Sequence, residues 1–288
     1  MTETFYKKLE STYGLVNFHR EIGELITRYS TNKQNIYQLA LEKIHFNHAP
    51  SVLDLGCGYG RFISYLKGII PPASTCTGID CLEKNRNPFQ EVTRSLQFKG
   101  NFICKSAEAI AEFSDRTFDL ILSGYSLYYF IDVLPHIARV MTQDGWFIAI
   151  THSQHSLIEF LKELQAALNL NDKLTTDHPA LDSTPLTFSS ENGEELLQEY
   201  FMEVERIDYY NRLQFPAEAI ENALRVLDFK RLTILKKSFY RNLIAEDILK
   251  LRLSKWVKNR MMDDGHYSLN KDDAIFCCRI PKAAGETS

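Results

Sequence analysis

The stretch SVLDLGCGYGRF at residues 51–62 decides how this chain is read. Val52, Leu53 and Leu55 form a short apolar run that reads as a buried parallel strand. The chain then turns through Gly56, Gly58 and Gly60, a spacing that lets a strand bend sharply into a helix and lets a ligand approach bare backbone. A dinucleotide-binding turn would place its third glycine at position 61, which is Arg61. Asp54 argues the same way, because a carboxylate at the mouth of the turn repels a pyrophosphate and attracts an ammonium or sulfonium. The loop is shaped for a cationic nucleoside, which points to S-adenosylmethionine.

DLGCGYG at 54–60 resembles motif I of the class I S-adenosylmethionine-dependent methyltransferases of small-molecule type, and the segments after it keep the family's order. TCTGID at 75–80 resembles the second strand; its Asp80 stands about 20 residues after the turn, where an acid meets a ribose diol. NFICKSAE at 101–108 resembles the third strand and the adenine-side loop. FDLILSGYSLYYF at 118–130 resembles the fourth strand and the segment facing the reaction centre, and DGWFIAITHS at 144–153 resembles the fifth. RYSTNKQ at 28–34 is similar to the family's cofactor-covering segment. Residues 188–216 are similar to its helix and sixth strand, and DDAIFCCRI at 272–280 to its closing seventh strand.

The resemblance implies a doubly wound α/β fold: a seven-stranded, mostly parallel Rossmann-like sheet with an α-helical cap. It divides the chain into N-terminal helices over the cofactor (1–48), the S-adenosylmethionine-binding core (49–154), a lid segment with the sixth strand (155–215), a helical cap insertion (216–271) and the final strand with its tail (272–288). Alternating strands and amphipathic helices support this architecture. Ile36, Leu39, Ala40 and Ile44 share a helical face, as do Phe89, Val92 and Leu96. Asp132 is placed to cap a helix carrying Val133, Ile137, Val140 and Met141. The polar run at 171–185 reads as a loop or lid.

Composition bounds the alternatives. At 288 residues and 44% hydrophobic content, the chain can bury a large core. A net charge of −4 gives no global sign of nucleic-acid binding. The first ten residues lack the apolar centre of a signal peptide, and no apolar run approaches a bilayer span. Six cysteines without a CxxC pair suggest a reduced, cytoplasmic protein. Cys277 and Cys278 should point to opposite faces of a strand. Eleven Lys and Arg against three acids give residues 225–260 a charge of +8. This reads first as a solvated helical cap, and in second place as a platform for an anionic substrate, either RNA or a phosphorylated metabolite.

By resemblance, the cofactor side of the site comprises Tyr29, Asp54, Gly56, Cys57, Gly58, Gly60, Asp80, Cys81, Ser106, Ala107, Glu108, Ser123 and Gly124. Asp54 would orient the cofactor's ammonium, and Asp80 would accept both ribose hydroxyls. Ser106 stands where the family often has an acid, so a backbone group or Glu108 must supply the polarity beside adenine. His152, at the end of strand five, is the best-placed general base, and an ordinary strand-end histidine is the equal alternative. One of Tyr125, Tyr128 and Tyr129 is expected to touch substrate through its ring face. His152 and His155 lack a third ligand at metal spacing, so no metal is expected. The expected reaction is in-line methyl transfer to O, N or C of a small molecule, leaving S-adenosylhomocysteine. RNA or protein methylation, a non-catalytic cofactor-binding partner subunit and an NAD-dependent oxidoreductase are the competing readings. No membrane partner is expected.

Overall fold

The computed structural model describes residues 6, 9–10, 12–170, 181–236 and 244–282. Its centre is a seven-stranded sheet built from β1 (Ser51–Leu55), β2 (Thr75–Asp80), β3 (Lys99–Cys104), β4 (Phe118–Gly124), β5 (Met141–His152), β6 (Phe201–Tyr209) and β9 (Asp273–Pro281). The order is β3-β2-β1-β4-β5-β9-β6, with β1 to β5 paired in parallel and β9 antiparallel to both its neighbours. This is the seven-stranded, mostly parallel sheet the sequence implies. Strand order reverses between β1 and β4, and in open α/β sheets the crevice at such a reversal receives the ligand.

Alternation within the strands separates two cores. Val52, Leu120, Leu122, Ile148, Ile150 and Cys277 face one side, against α2 (Ile36–Ala40), α3 (Arg61–Ser64) and α4 (Arg86–Ser95). Leu53, Ile121, Phe147, Phe276 and Cys278 face the other, against α5 (Leu134–Val140) and α7 (Gly193–Gln198). The adjacent Cys277 and Cys278 therefore belong to opposite cores, as the period of two requires. The expected capping role of Asp132 is not taken up. Residues 131–133 form a short 3-10 turn, and the next helix begins with Val133 at its N-cap and no side-chain cap bond. Met141, expected on that helix, opens β5 instead.

A third core lies above the sheet. It joins α1 (Val16–Tyr29), α6 (Ile158–Leu168), α8 (Ile220–Ile234) and α9 (Glu246–Asp264) through Ile22, Phe160, Leu164, Val226, Leu249, Leu253 and Val257. The helical reading of 216–271 is incomplete. The segment closes with β8 (His266–Asn270), which pairs antiparallel with β7 (Arg212–Pro216) and brings both ends of the helical segment together at the sheet edge. Gly265 makes the turn from α9 into β8 with a φ of 71°, a conformation that suits glycine. Of the expected lid, residues 171–180 lie outside the described residues. No helix among the described residues is long and apolar enough to cross a membrane.

Candidate active site

One cavity of about 490 Å³ opens at the strand-order reversal and runs from the glycine turn to the cap helices. Gly56 takes a φ of 67° and leaves no room for a side chain, because a Cβ there would lie 2.6 Å from Cβ of Ser126. The Ser126 hydroxyl donates to the carbonyl of Leu55 at 2.7 Å, so it receives the neighbouring Ser123 hydroxyl at 2.9 Å. This buried pair props the turn from behind. Gly58 is the reverse case: its φ is 50°, and a Cβ would meet nothing within 4 Å, so its backbone faces open cavity.

Two carboxylates flank the turn. Asp54 is 1% exposed, and its Oδ2 has no hydrogen-bond partner among the described residues. Burial, reinforced by the charge of Asp80, pushes its pKa up to about 8. An orphaned carboxylate oxygen in a cavity wall is a fit for a cation that is part of the ligand, here an ammonium. Asp80 accepts the Gly58 N–H through Oδ2 at 2.9 Å. Its Oδ1 accepts Leu82 N–H at 2.8 Å and Asn85 Nδ2 at 3.0 Å. Both Oδ1 lone pairs are therefore occupied, and Oδ2 keeps one for a ribose hydroxyl. The expected simultaneous acceptance of both ribose hydroxyls by Asp80 needs one of these internal bonds to yield.

The remaining cofactor-side candidates divide. Cys57, Cys81, Ser106, Ala107 and Gly124 line the cavity. Glu108 does not; its carboxylate is tied to the Ser106 side chain, which holds its pKa below the usual range. Gly60 serves as the left-handed N-cap of α3, and Ser123 is fully buried behind the turn. Tyr29 also lies off the cavity: its ring packs on Phe215 at 4.6 Å, and its hydroxyl accepts Asn222 Nδ2 at 2.8 Å. The cavity wall from this segment is Ser30 and residues 32–37 instead.

At the far side, Tyr125, Tyr128 and Tyr129, of which one is expected to touch substrate, all line the cavity with His152. Tyr125 adopts a φ of 58°, unusual for a bulky residue and a strained conformation of the kind found at functional sites. Its hydroxyl donates to Asp273 Oδ2 at 2.9 Å, and its ring lies 4.6 Å from that of His152. Tyr128 lies 6.3 Å from the same imidazole, and the Tyr129 hydroxyl meets that of Tyr13 at 3.2 Å.

His152 is held by a network the sequence did not reveal. Its Nδ1 lies 2.8 Å from Asp273 Oδ1, and Lys271 Nζ donates to both Asp273 oxygens at 2.6 Å. Burial opposes charge on Asp273, yet Lys271 and His152 hold its pKa at about 2. An ionised carboxylate accepts, so the short bond requires the proton on Nδ1 and leaves the Nε2 lone pair uncommitted. Lys271 also stands 3.2 Å from Nδ1, but its two carboxylate bonds are shorter and better matched in charge. Burial and the Lys271 charge push His152 down to about 4, so it is neutral near pH 7.

Other cavity residues were not singled out from sequence. His19 stacks on Phe229, Arg61 donates to the Gly23 carbonyl and Thr27 hydroxyl at 3.2 Å, and Lys230 projects from α8. The D-D before the final strand, with Lys271 ahead of it, was the available signal for the Asp273 network. Charged residues leading into a strand whose first six residues are buried need partners.

Known proteins share this fold. Residues 53–149 match a family model described as a methyltransferase domain. The fold is similar to that of the YcgJ protein of Bacillus subtilis, at 15% identity over 84% of this chain and 97% of that one, with a TM-score of 0.50. It is also similar to a putative methyltransferase of Bacillus halodurans, at 11% identity over 86% and 99% of the two chains, with a TM-score of 0.51. No curated protein sequence matches the chain.

Proposed function

We propose that this chain, which belongs to the class I S-adenosylmethionine-dependent methyltransferases, methylates a nucleophilic O, N or C atom of a small molecule held in the same cavity as its cofactor. The observation that carries the reading is that one cavity is lined both by the glycine turn with Asp54 and Asp80 and by His152 with the cap helices. Bound S-adenosylmethionine supplies a methyl group on a sulfonium, already activated for displacement. The chain's residues then bind, orient and deprotonate. Asp54 takes the ammonium of the amino-acid end beside the uncovered Gly58, whose N–H stays on Asp80, and Asp80 takes the ribose. Nε2 of His152 takes the proton from the attacking group as its bond to carbon forms, and the charge gained by the ring is met by Asp273. A weak base suffices, because the nucleophile's acidity rises as that bond develops.

The basic stretch gives little support to RNA as acceptor. Arg231 is fully buried, with ion pairs to Asp228 and Glu246 at 2.7 and 3.1 Å, and Arg225 pairs with Glu21 at 2.6 Å. Lys250 lies 3.2 Å from Asp228. These three of the eleven cations of the stretch are thus held by acids of the protein, one of them fully buried. Buried cysteines without disulfides support a reducing, cytoplasmic setting. Methyl-labelled S-adenosylmethionine incubated with the protein and a fractionated cell extract tests the proposal. Label should enter the small-molecule fraction. Label confined to RNA or protein would refute it.

A further inference from the structure

We propose that the methyl acceptor carries an acid group, and that Lys230 is the residue that seats it. The inference rests on methyl transfer as the reaction and names the substrate class of that same cavity. Lys230 is 9% exposed, lines the cavity, and has no hydrogen bond or ion pair from Nζ to any described residue. Its Nζ lies 6.0 Å from the centroid of the neighbouring Phe229 ring. A buried ammonium is costly unless something pairs with it.

The other lysines of the cavity are accounted for. Lys271 is committed to Asp273, Lys105 pairs with Glu112 at 2.7 Å, and Lys33 donates to the Ser30 carbonyl at 2.7 Å. The cofactor brings one carboxylate. Arg61, the residue after Gly60 and the first of α3, lacks an acidic partner among the described residues and stands beside the turn that receives the amino-acid end. That leaves Lys230 in excess. It comes from the cap rather than from the turn, and it lines the same cavity as His152. Burial, with repulsion from Lys271, lowers the Lys230 amine to about 7, and a bound anion would restore its charge. A substrate ammonium at this position would meet repulsion instead. The same wall carries the apolar Leu161, Leu181, Phe229 and Ile234, with Thr233 and Asp182 beside them. The fitting ligand is therefore a small acid with an apolar or aromatic body.

The test is titration of the S-adenosylhomocysteine-saturated protein with matched pairs: benzoate and benzamide, hexanoate and hexanamide. At least one acid should bind tenfold or more tighter than its amide. Lys230→Met should abolish that preference and leave S-adenosylhomocysteine affinity within twofold, and Lys230→Arg should keep the preference. The proposal is overturned if no acid outbinds its amide, or if Lys230→Met retains the preference. A parallel loss of S-adenosylhomocysteine affinity in Lys230→Met also overturns it, by assigning this lysine to the cofactor's carboxylate. Failure of the wild-type protein to bind S-adenosylhomocysteine at all would instead remove the methyl-transfer reading, and the acid with it.

Discussion

His152 and Asp273 are register partners on the antiparallel strands β5 and β9, and their side chains are joined at 2.8 Å through Nδ1 and Oδ1. The proposed general base and the group that orients it are thus set by sheet pairing rather than by a loop. Rigid placement of this kind keeps Nε2 aimed at one point of the cavity.

Asp273 should be the costliest residue of the site to change. Asp273→Asn leaves the Lys271 ammonium, 4% exposed, without its counter-charge. Removing one partner of a buried pair costs about 3–5 kcal/mol. Urea denaturation should show that loss, with a fall in activity beside it.

Lys271→Met should raise the pKa of His152 from about 4, because burial and then the Lys271 charge hold it down. Proton NMR of the imidazole would show the midpoint moving towards the ordinary histidine value near 6.5. The acid limb of the pH–rate profile should move up with it.

Asp54 should trade stability for binding. Its folded-state pKa of about 8 lies above the ordinary carboxyl value, so its stabilising contribution is complete below about pH 4 and is lost as pH rises through about 8. Asp54→Asn should therefore raise the melting temperature of the ligand-free protein at pH 8 by about 2 °C or more. The same variant should bind S-adenosylhomocysteine at least tenfold more weakly, about 1.4 kcal/mol. In the wild type that affinity should climb between pH 6 and 8 and then level off, since binding an ammonium favours the ionised carboxylate.

Gly56→Ala should destabilise the fold by about 2 kcal/mol or more. The position has a φ of 67°, and an added Cβ would meet Ser126 at 2.6 Å, where backbone and a buried hydroxyl pair have nowhere to move. Thermal unfolding would register it, and Gly58→Ala should cost less stability, because nothing lies within 4 Å of its Cβ.

What could be read from the sequence was local. Gly56 and Gly58 announce the turn because positive φ restricts the residue type, the apolar run of β1 announces a buried strand, and the period of two sends Cys277 and Cys278 to opposite faces. His152 was legible as the last residue of a strand. Its partner was not, because Asp273 lies 121 residues away and reaches it only through antiparallel pairing. Lys230 was counted within a basic stretch, since helical periodicity gives a face but not what that face looks upon. Tyr29 closes its helix against the cap core, while Ser30, in extended backbone just past the helix end, reaches the cavity wall, a change of direction that helical periodicity does not show. The strand β8 was missed because five residues of alternation after a long helix signal little until β7 is beside them.

The most direct measurement compares wild type and His152→Gln for transfer of label from S-adenosylmethionine into the small-molecule fraction, alongside their S-adenosylhomocysteine affinities. The account predicts transfer by the wild type, a loss of about 100-fold or more in the variant, and cofactor affinity unchanged within threefold. A variant as active as the wild type, or wild-type label appearing only in RNA or protein, would contradict it.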